Sequence, residues 1–213
     1  MAKDNSKNEN QGPYSSILNK ALEASAKKDF AGVLYTWRAL AENGVLEIYA
    51  RIGELYERGE KGVPKDIEEA LRWYRKAVFE LDDPIAHVGL GRIYFTGIDV
   101  ERDIPLALKH FEKAYSRRLP EAAICLGIIY YNGIGIEKDI NRAENYFKVA
   151  AEENYLFAIS KLARISFDKK NYIKGTLLLL KSVILAERIA RRDPDDLRLF
   201  GINIKPIDYS DRN

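Results

Sequence analysis

Between Ile48 and Asn154 the apolar residues recur at i, i+3, i+4 and i+7, the spacing of one buried helix face, in segments that come in pairs joined by short Gly-containing connections. Each pair predicts a helical hairpin. The paired pattern is written three times, A-x-x-x-L-G-x-x-Y-x-x-G followed by D-x-x-x-A-x-x-x-F-x-x-A. Its first glycine is Gly53, Gly91 and Gly127, and the tyrosine three residues on is Tyr56, Tyr94 and Tyr130. Gly59, Gly97 and Gly133 close the first segment, and Asp66, Asp103 and Asp139 open the second. An alanine, an aromatic ring and a second alanine follow: Ala70, Tyr74 and Ala77, then Ala107, Phe111 and Ala114, then Ala143, Phe147 and Ala150. A period of 36 to 38 residues with small side chains in fixed phase is the signature of a repeat array.

A glycine inside a helix costs about 1 kcal/mol relative to alanine. Accepting that cost at one phase three times implies that only a hydrogen atom fits there, and Ala70, Ala107 and Ala143 are the expected neighbours across each hairpin. Each aspartate stands where an N-cap side chain takes orphan N–H groups, and Asp66 with Glu69 reads as a capping box. Pro84 and Pro120 bound the copies at positions where proline opens a helix.

The flanks read as worn copies. From Tyr14 a shorter hairpin carries Leu18, Ala21, Leu22 and Ser25 on one helix, turns at Lys28-Asp29, and continues with Val33, Trp37 and Leu40 to a left-handed stop at Asn43-Gly44. From Leu156 another copy has Ala163 for the glycine, a loop contracted to Lys169-Lys170-Asn171, and Gly175, Leu179 and Ser182 at the second-helix phases, its last helix running to about Arg191. The expected organisation is a disordered segment over 1–13 and one repeat domain over 14–201, with strict repeats at about 47–83, 85–119 and 121–155. Degenerate end units occupy 14–44 and 156–192, a capping helix opened by Asp193-Pro194 occupies 193–201, and 202–213 form an irregular tail. The fold class is all-α, a right-handed α-α superhelix of about five hairpins.

These residues resemble the Sel1-like repeat family, relatives of the tetratricopeptide solenoids with a longer loop inside each hairpin. G-E-K-G-V-P-K-D, G-I-D-V-E-R-D and G-I-G-I-E-K-D stand where that family has its loop. The first copy has Ile48 for the leading Ala and one extra loop residue, and the second has Asp99 where the second loop glycine is expected. The resemblance implies a bacterial adaptor, a non-enzymatic protein- or peptide-binding scaffold in which the first helix of each hairpin lines a concave wall. Cysteine-rich relatives have been linked to cell-wall or β-lactam hydrolysis, which makes a hydrolase the alternative reading, and a self-associating structural unit the second alternative.

Composition narrows this little. The 34 basic and 32 acidic residues leave a charge of +2, too small to imply a nucleic-acid partner. The single cysteine, Cys125, lies in an apolar helix and reads as a buried thiol, without the paired cysteines of the secreted relatives. The polar N-terminus lacks the apolar core of a secretory signal, so the expected location is cytoplasmic, or periplasmic had a leader been removed. The apolar run Leu177 to Ala186, interrupted by Lys181, is too short for a membrane span, and no membrane insertion is expected.

Candidate chemistry is sparse. His87 and His110 have no acid, Cys or second His at ligand spacing, so no metal, cofactor or catalytic residue is expected, and both read as surface or half-buried side chains. Gly89-Leu90-Gly91 and Gly133-Ile134-Gly135 follow no strand and precede no Gly-Lys-Ser/Thr, so they are repeat glycines. Trp73 with Arg72, Arg75 and Lys76 on an outer helix reads as amphipathic packing. Projected from the repeat glycine, the concave wall carries an apolar stripe with polar neighbours. Val88, Phe95, Ile124, Ile128, Tyr131 and Phe167 are the expected contacts to a partner helix or peptide. Arg92, Asn132 and Arg164 are expected to bond its backbone or acidic groups. The competing reading makes these side chains core, or fills the groove with the C-terminal tail.

Overall fold

The computed structural model describes residues 14–193 together with Asp196 and Arg198. The expected disorder over 1–13, the tail over 202–213 and, apart from Asp193, Asp196 and Arg198, the capping helix lie outside the described residues. Ten α-helices are paired into five hairpins among the described residues, which is the all-α hairpin array predicted. Two compact units divide the chain between Gly89 and Leu90.

The first unit holds α1 (Ser15–Ala26), α2 (Phe30–Glu42), α3 (Tyr49–Arg58), α4 (Ile67–Leu81) and the opening turns of α5 (Pro84–Thr96). The second holds the rest of α5, then α6 (Ile104–Ser116), α7 (Pro120–Asn132), α8 (Ile140–Glu152), α9 (Leu156–Asp168) and α10 (Tyr172–Arg192). An isolated antiparallel bridge between Glu60 and Val63 is the β pairing of the first long loop.

The same chemistry starts each second helix. Asp66, Asp103 and Asp139 accept hydrogen bonds from the backbone N–H of Glu69 (2.9 Å), Leu106 (2.8 Å) and Arg142 (2.9 Å). Their own N–H groups donate to the carbonyls of Tyr56, Tyr94 and Tyr130, tying the loop to the end of the first helix. Asp29 and Asn171 cap α2 and α10 in the same way, so the worn copies keep the device although their loops are short. The Glu69 half of the capping box is spent otherwise, its carboxylate taking Arg72 Nη1 and Trp73 Nε1. Asp99 adopts φ +66°, matching the +68° of Gly135, so the missing second glycine leaves the loop in the left-handed conformation. Aspartate tolerates that region better than most residues.

The repeat glycines are required, but their neighbour is the ring four residues beyond the expected alanine. A Cβ on Gly53 would lie 2.7 Å from Tyr74, and one on Gly91 or Gly127 would lie 2.6 Å from Phe111 or Phe147. All three rings are fully buried. Tyr74 is held from both sides, since Gly89 in α5 also presses on its ring, and its hydroxyl donates to Glu57 (2.7 Å). The last hairpin inverts the arrangement: α9 carries the ring, Phe167, and α10 carries the glycine, Gly175, whose Cβ would meet it at 2.7 Å.

The first helix also departs from expectation. Ala21 and Ala24 form its buried stripe, while Leu18 and Leu22 are exposed, because α1 meets α2 through small side chains at close approach.

Candidate functional site

The candidate residues do not form one surface. Val88, Phe95 and Ile124 are 4%, 1% and 0% exposed and belong to the core, which corrects their assignment as partner contacts. Repeat phase counts turns along one helix, whereas burial depends on the neighbouring helices. Phe95 packs edge-on against Phe111 beneath α6, and Ile124 packs in the cluster of Phe147 and Ile159. Val88 lies in the first unit and the other candidates in the second.

Apart from Arg92 on α5, what remains open lies on α7 and α9. These first helices of the last two hairpins share the core of Ile124, Phe147, Ile159 and Ile165, which fixes their spacing. Ile128 and Tyr131 are half-buried on α7, and the Tyr131 ring stands edge-on to Phe147 at 6.4 Å. Phe157, on α9, meets the same Phe147 at 6.3 Å. Two ammonium groups flank the tyrosine: Lys138 Nζ lies 5.6 Å from the ring centre and Lys161 Nζ 5.3 Å, with Lys161 also 5.2 Å from the Phe157 ring. Partial burial, then repulsion by Arg164, pushes the Lys161 ammonium below its usual pKa. A cation over an aromatic face contributes about 0.5–1 kcal/mol at exposed sites and more once water is displaced.

Around this centre Asn132 is exposed and its amide nitrogen donates to Ile128 O (3.0 Å). Arg164 is exposed and lies 3.4 Å from Asp168, one helical turn on, a pairing that a stronger acidic ligand can exchange at small cost. Phe167 is half-buried over Gly175. Arg92 is half-buried on α5. At the start of α7 the Tyr155 hydroxyl donates to the Glu121 carboxylate, linking the entry to α9 with α7. Burial, then the Glu121 hydrogen bond, pushes the Tyr155 phenol well above its usual range.

Phe157, Lys138 and Lys161 are the members the sequence reading left out of the site. Phe157 sits on the same projected stripe, so its signal was present. Lys138 belongs to the loop that Gly133 folds back at φ +71°, and no helical phase reports where such a residue lands.

The remaining candidates sort simply. His87 is buried, 4% exposed, with Nε2 2.9 Å from Asp82 Oδ1, rather than on the surface, while His110 is half-buried and stacks on Tyr94 at 6.1 Å. Trp73 is buried and edge-on to Tyr49, as packing required. Cys125 is buried. Among the described residues no group of three His, Cys, Asp or Glu could hold a metal ion, and no helix is long and apolar enough to cross a membrane.

Stacked hairpins, three of which share one capped loop and one glycine-on-ring contact, define a helical-repeat scaffold of the tetratricopeptide-like class. The Sel1 repeat profile matches residues 49–78, 84–118 and 120–155, and the chain belongs to the Sel1 repeat family. A Sel1 repeat protein from Oxalobacter formigenes shares the fold at a TM-score of 0.69 and 22% identity, over 89% of this chain and 84% of that one. So does c5321, a protective antigen present in uropathogenic Escherichia coli, at 0.68 and 20% identity, over 86% of this chain and 42% of that one. An uncharacterised protein of Neisseria meningitidis serogroup B is 38% identical over 95 residues, which is 45% of this chain and 19% of that protein. The chain therefore matches about a fifth of the length of that relative.

Proposed function

We propose that this chain is a non-enzymatic adaptor whose α7–α9 face binds a peptide segment carrying both apolar and acidic side chains. The observation that carries the reading is Tyr131, half-buried and flanked by the ammonium groups of Lys138 and Lys161 beside Ile128 and Phe157. An apolar ligand side chain lies against Ile128 and the Tyr131 edge, and its carboxylates meet Lys138, Lys161 and Arg164. Aromatic rings and Arg are over-represented among binding hot spots, and a cationic rim around them favours acidic partners. Asn132 supplies an amide to the ligand backbone.

The test is binding of the full chain to an array of acidic and basic peptides of matched hydropathy, with affinities measured at low and high salt. Acidic peptides should be preferred, and affinity should fall with salt. Tyr131→Ala and Lys161→Ala should each weaken binding by about tenfold, the order expected for a hot-spot truncation. Binding unchanged in both variants removes this face from consideration.

A further inference from the structure

Helix α10 is apolar on two opposite sides. Gly175, Leu178, Ser182, Leu185 and Ile189 form the stripe turned to its own hairpin: Gly175 and Ile189 are buried, and Leu178 and Leu185 join the core cluster of α8 and α9. At 3.6 residues per turn, Ile173, Leu177, Leu180 and Ile184 fall on the far side of the helix. They are exposed by 78%, 60%, 56% and 50%, and Tyr172, Leu179 and Val183 extend the exposed surface along one flank. A helix apolar on both sides is the mark of an element covered on both.

We infer that this outer stripe is a homodimer interface, in which α10 of one copy packs antiparallel on α10 of a second. Three properties of the helix select that occupant. The exposed patch is large: its seven side chains, of on the order of 100 Å² each, give on the order of 700 Å², of which the four stripe residues, on the order of 400 Å², face the second copy, about half of the ~800 Å² per partner in a standard interface. A monomer rarely leaves so large a contiguous apolar patch in water. The stripe also reads the same in both directions, Ile–x3–Leu–x2–Leu–x3–Ile from Ile173 to Ile184. A two-fold axis at its midpoint therefore sets Ile173 on Ile184 of the partner subunit and Leu177 on Leu180 of the partner subunit, a self-complementary contact of the kind that closes a dimer.

The flanks are polarised. Thr176 and Val183 border one side without charge, while Lys174 and Lys181 border the other, and Lys174 already lies 3.5 Å from Glu144. In the antiparallel pair Lys181 comes beside Lys174 of the partner subunit. That repulsion makes the dimer tighten as salt rises, opposite to the salt response of the cationic peptide-binding face.

The experiment is sedimentation equilibrium of the full chain across a wide concentration range. The expected result is a monomer–dimer equilibrium that plateaus at two copies. The exposed double variant Leu177→Lys/Leu180→Lys should be monomeric with unchanged far-UV circular dichroism, and Lys181→Glu should tighten the dimer several-fold by facing a lysine of the second copy. A monomer at every concentration overturns the proposal, as does a dimer indifferent to the two leucine changes. Growth beyond two copies without a plateau overturns it too, because α10 then engages a different surface. A dimer not tightened by Lys181→Glu overturns the antiparallel arrangement. None of these outcomes bears on peptide binding, so the two readings fail separately.

Discussion

Replacing Gly127 by alanine separates two opposing effects that the structure makes calculable. Alanine is a better helix former than glycine by about 1 kcal/mol, so the exchange in an open helix stabilises. Here the new methyl carbon would lie 2.6, 2.8 and 2.9 Å from Cε1, Cδ1 and Cζ of Phe147. Non-bonded carbons rest at about 3.5–4.0 Å, so the ring must withdraw by about 1 Å. It has nowhere to go. Phe147 is fully buried, with Tyr131 and Phe157 packed edge-on against it. Overpacking of this kind costs about 1–3 kcal/mol, occasionally more. The balance is a net loss of up to about 2 kcal/mol, read as a lower urea midpoint by far-UV circular dichroism. Phe147→Leu destabilises alone by opening space, but combined with Gly127→Ala it should cost about 1–2 kcal/mol less than the sum of the two single changes, because the methyl then occupies the vacated volume. A Gly127→Ala protein more stable than its parent, as in an open helix, or additive behaviour in the cycle, refutes the ring-seat argument.

Other outcomes follow from the caps and the ion pairs. Asp139→Ala removes the acceptor of both the Asn141 and Arg142 N–H groups and should destabilise by about 1 kcal/mol in the same urea titration, whereas Asp139→Asn, whose amide oxygen still accepts, should avoid most of that loss. Glu144 is held at about 2, first by the Lys169 hydrogen bond, which outweighs the burial that opposes it, and then by Lys148, so the ionised carboxylate is favoured in the folded state. A depressed carboxylate contributes its stability in full above its unfolded value and loses it as pH falls from roughly 4.5 through 2. Allowing for solvent around the lysines, the loss is about 1 kcal/mol, and Glu144→Gln should flatten that limb of the stability–pH curve.

The sequence carried the hairpins because helical period, capping aspartates and opening prolines are local: Asp103, Asp139 and Pro120 act within a few residues of themselves. It misjudged contacts that cross between helices. Ala107 was the expected neighbour of Gly91 because small residues pack closely, yet a phenylalanine on a helix points back toward the N-terminal turn, and Phe111 covers that spot instead. Phe95 and Ile124 were projected onto the open wall for a related reason, since phase fixes a direction from one axis and says nothing of what stands there. On α1 the larger Leu18 and Leu22 drew attention, while Ala21 and Ala24 set the approach to α2. Of the site, Tyr131, Ile128 and Arg164 were legible as members of one stripe. The lysines beside Tyr131 were not, because one arrives by a folded loop and the other lies off the stripe.

The inverted ring seat of the final hairpin limits which helices can stand in for one another. The hairpins of Gly53, Gly91 and Gly127 each offer a notch on the leading helix and a plug on the trailing one, so exchanging leading helices among them keeps a glycine under each ring, although α5 has also to keep Gly89 against Tyr74. The α9–α10 hairpin reverses notch and plug. A fusion joining α7 to α10 would deprive Gly127 of the Phe147 ring that fills its notch, and one joining α9 to α8 would set that ring against Ala163, which carries the methyl group the notch excludes. Leading and trailing helices are therefore interchangeable at most among the three regular hairpins, whereas α9 and α10 fit each other and have to be moved together.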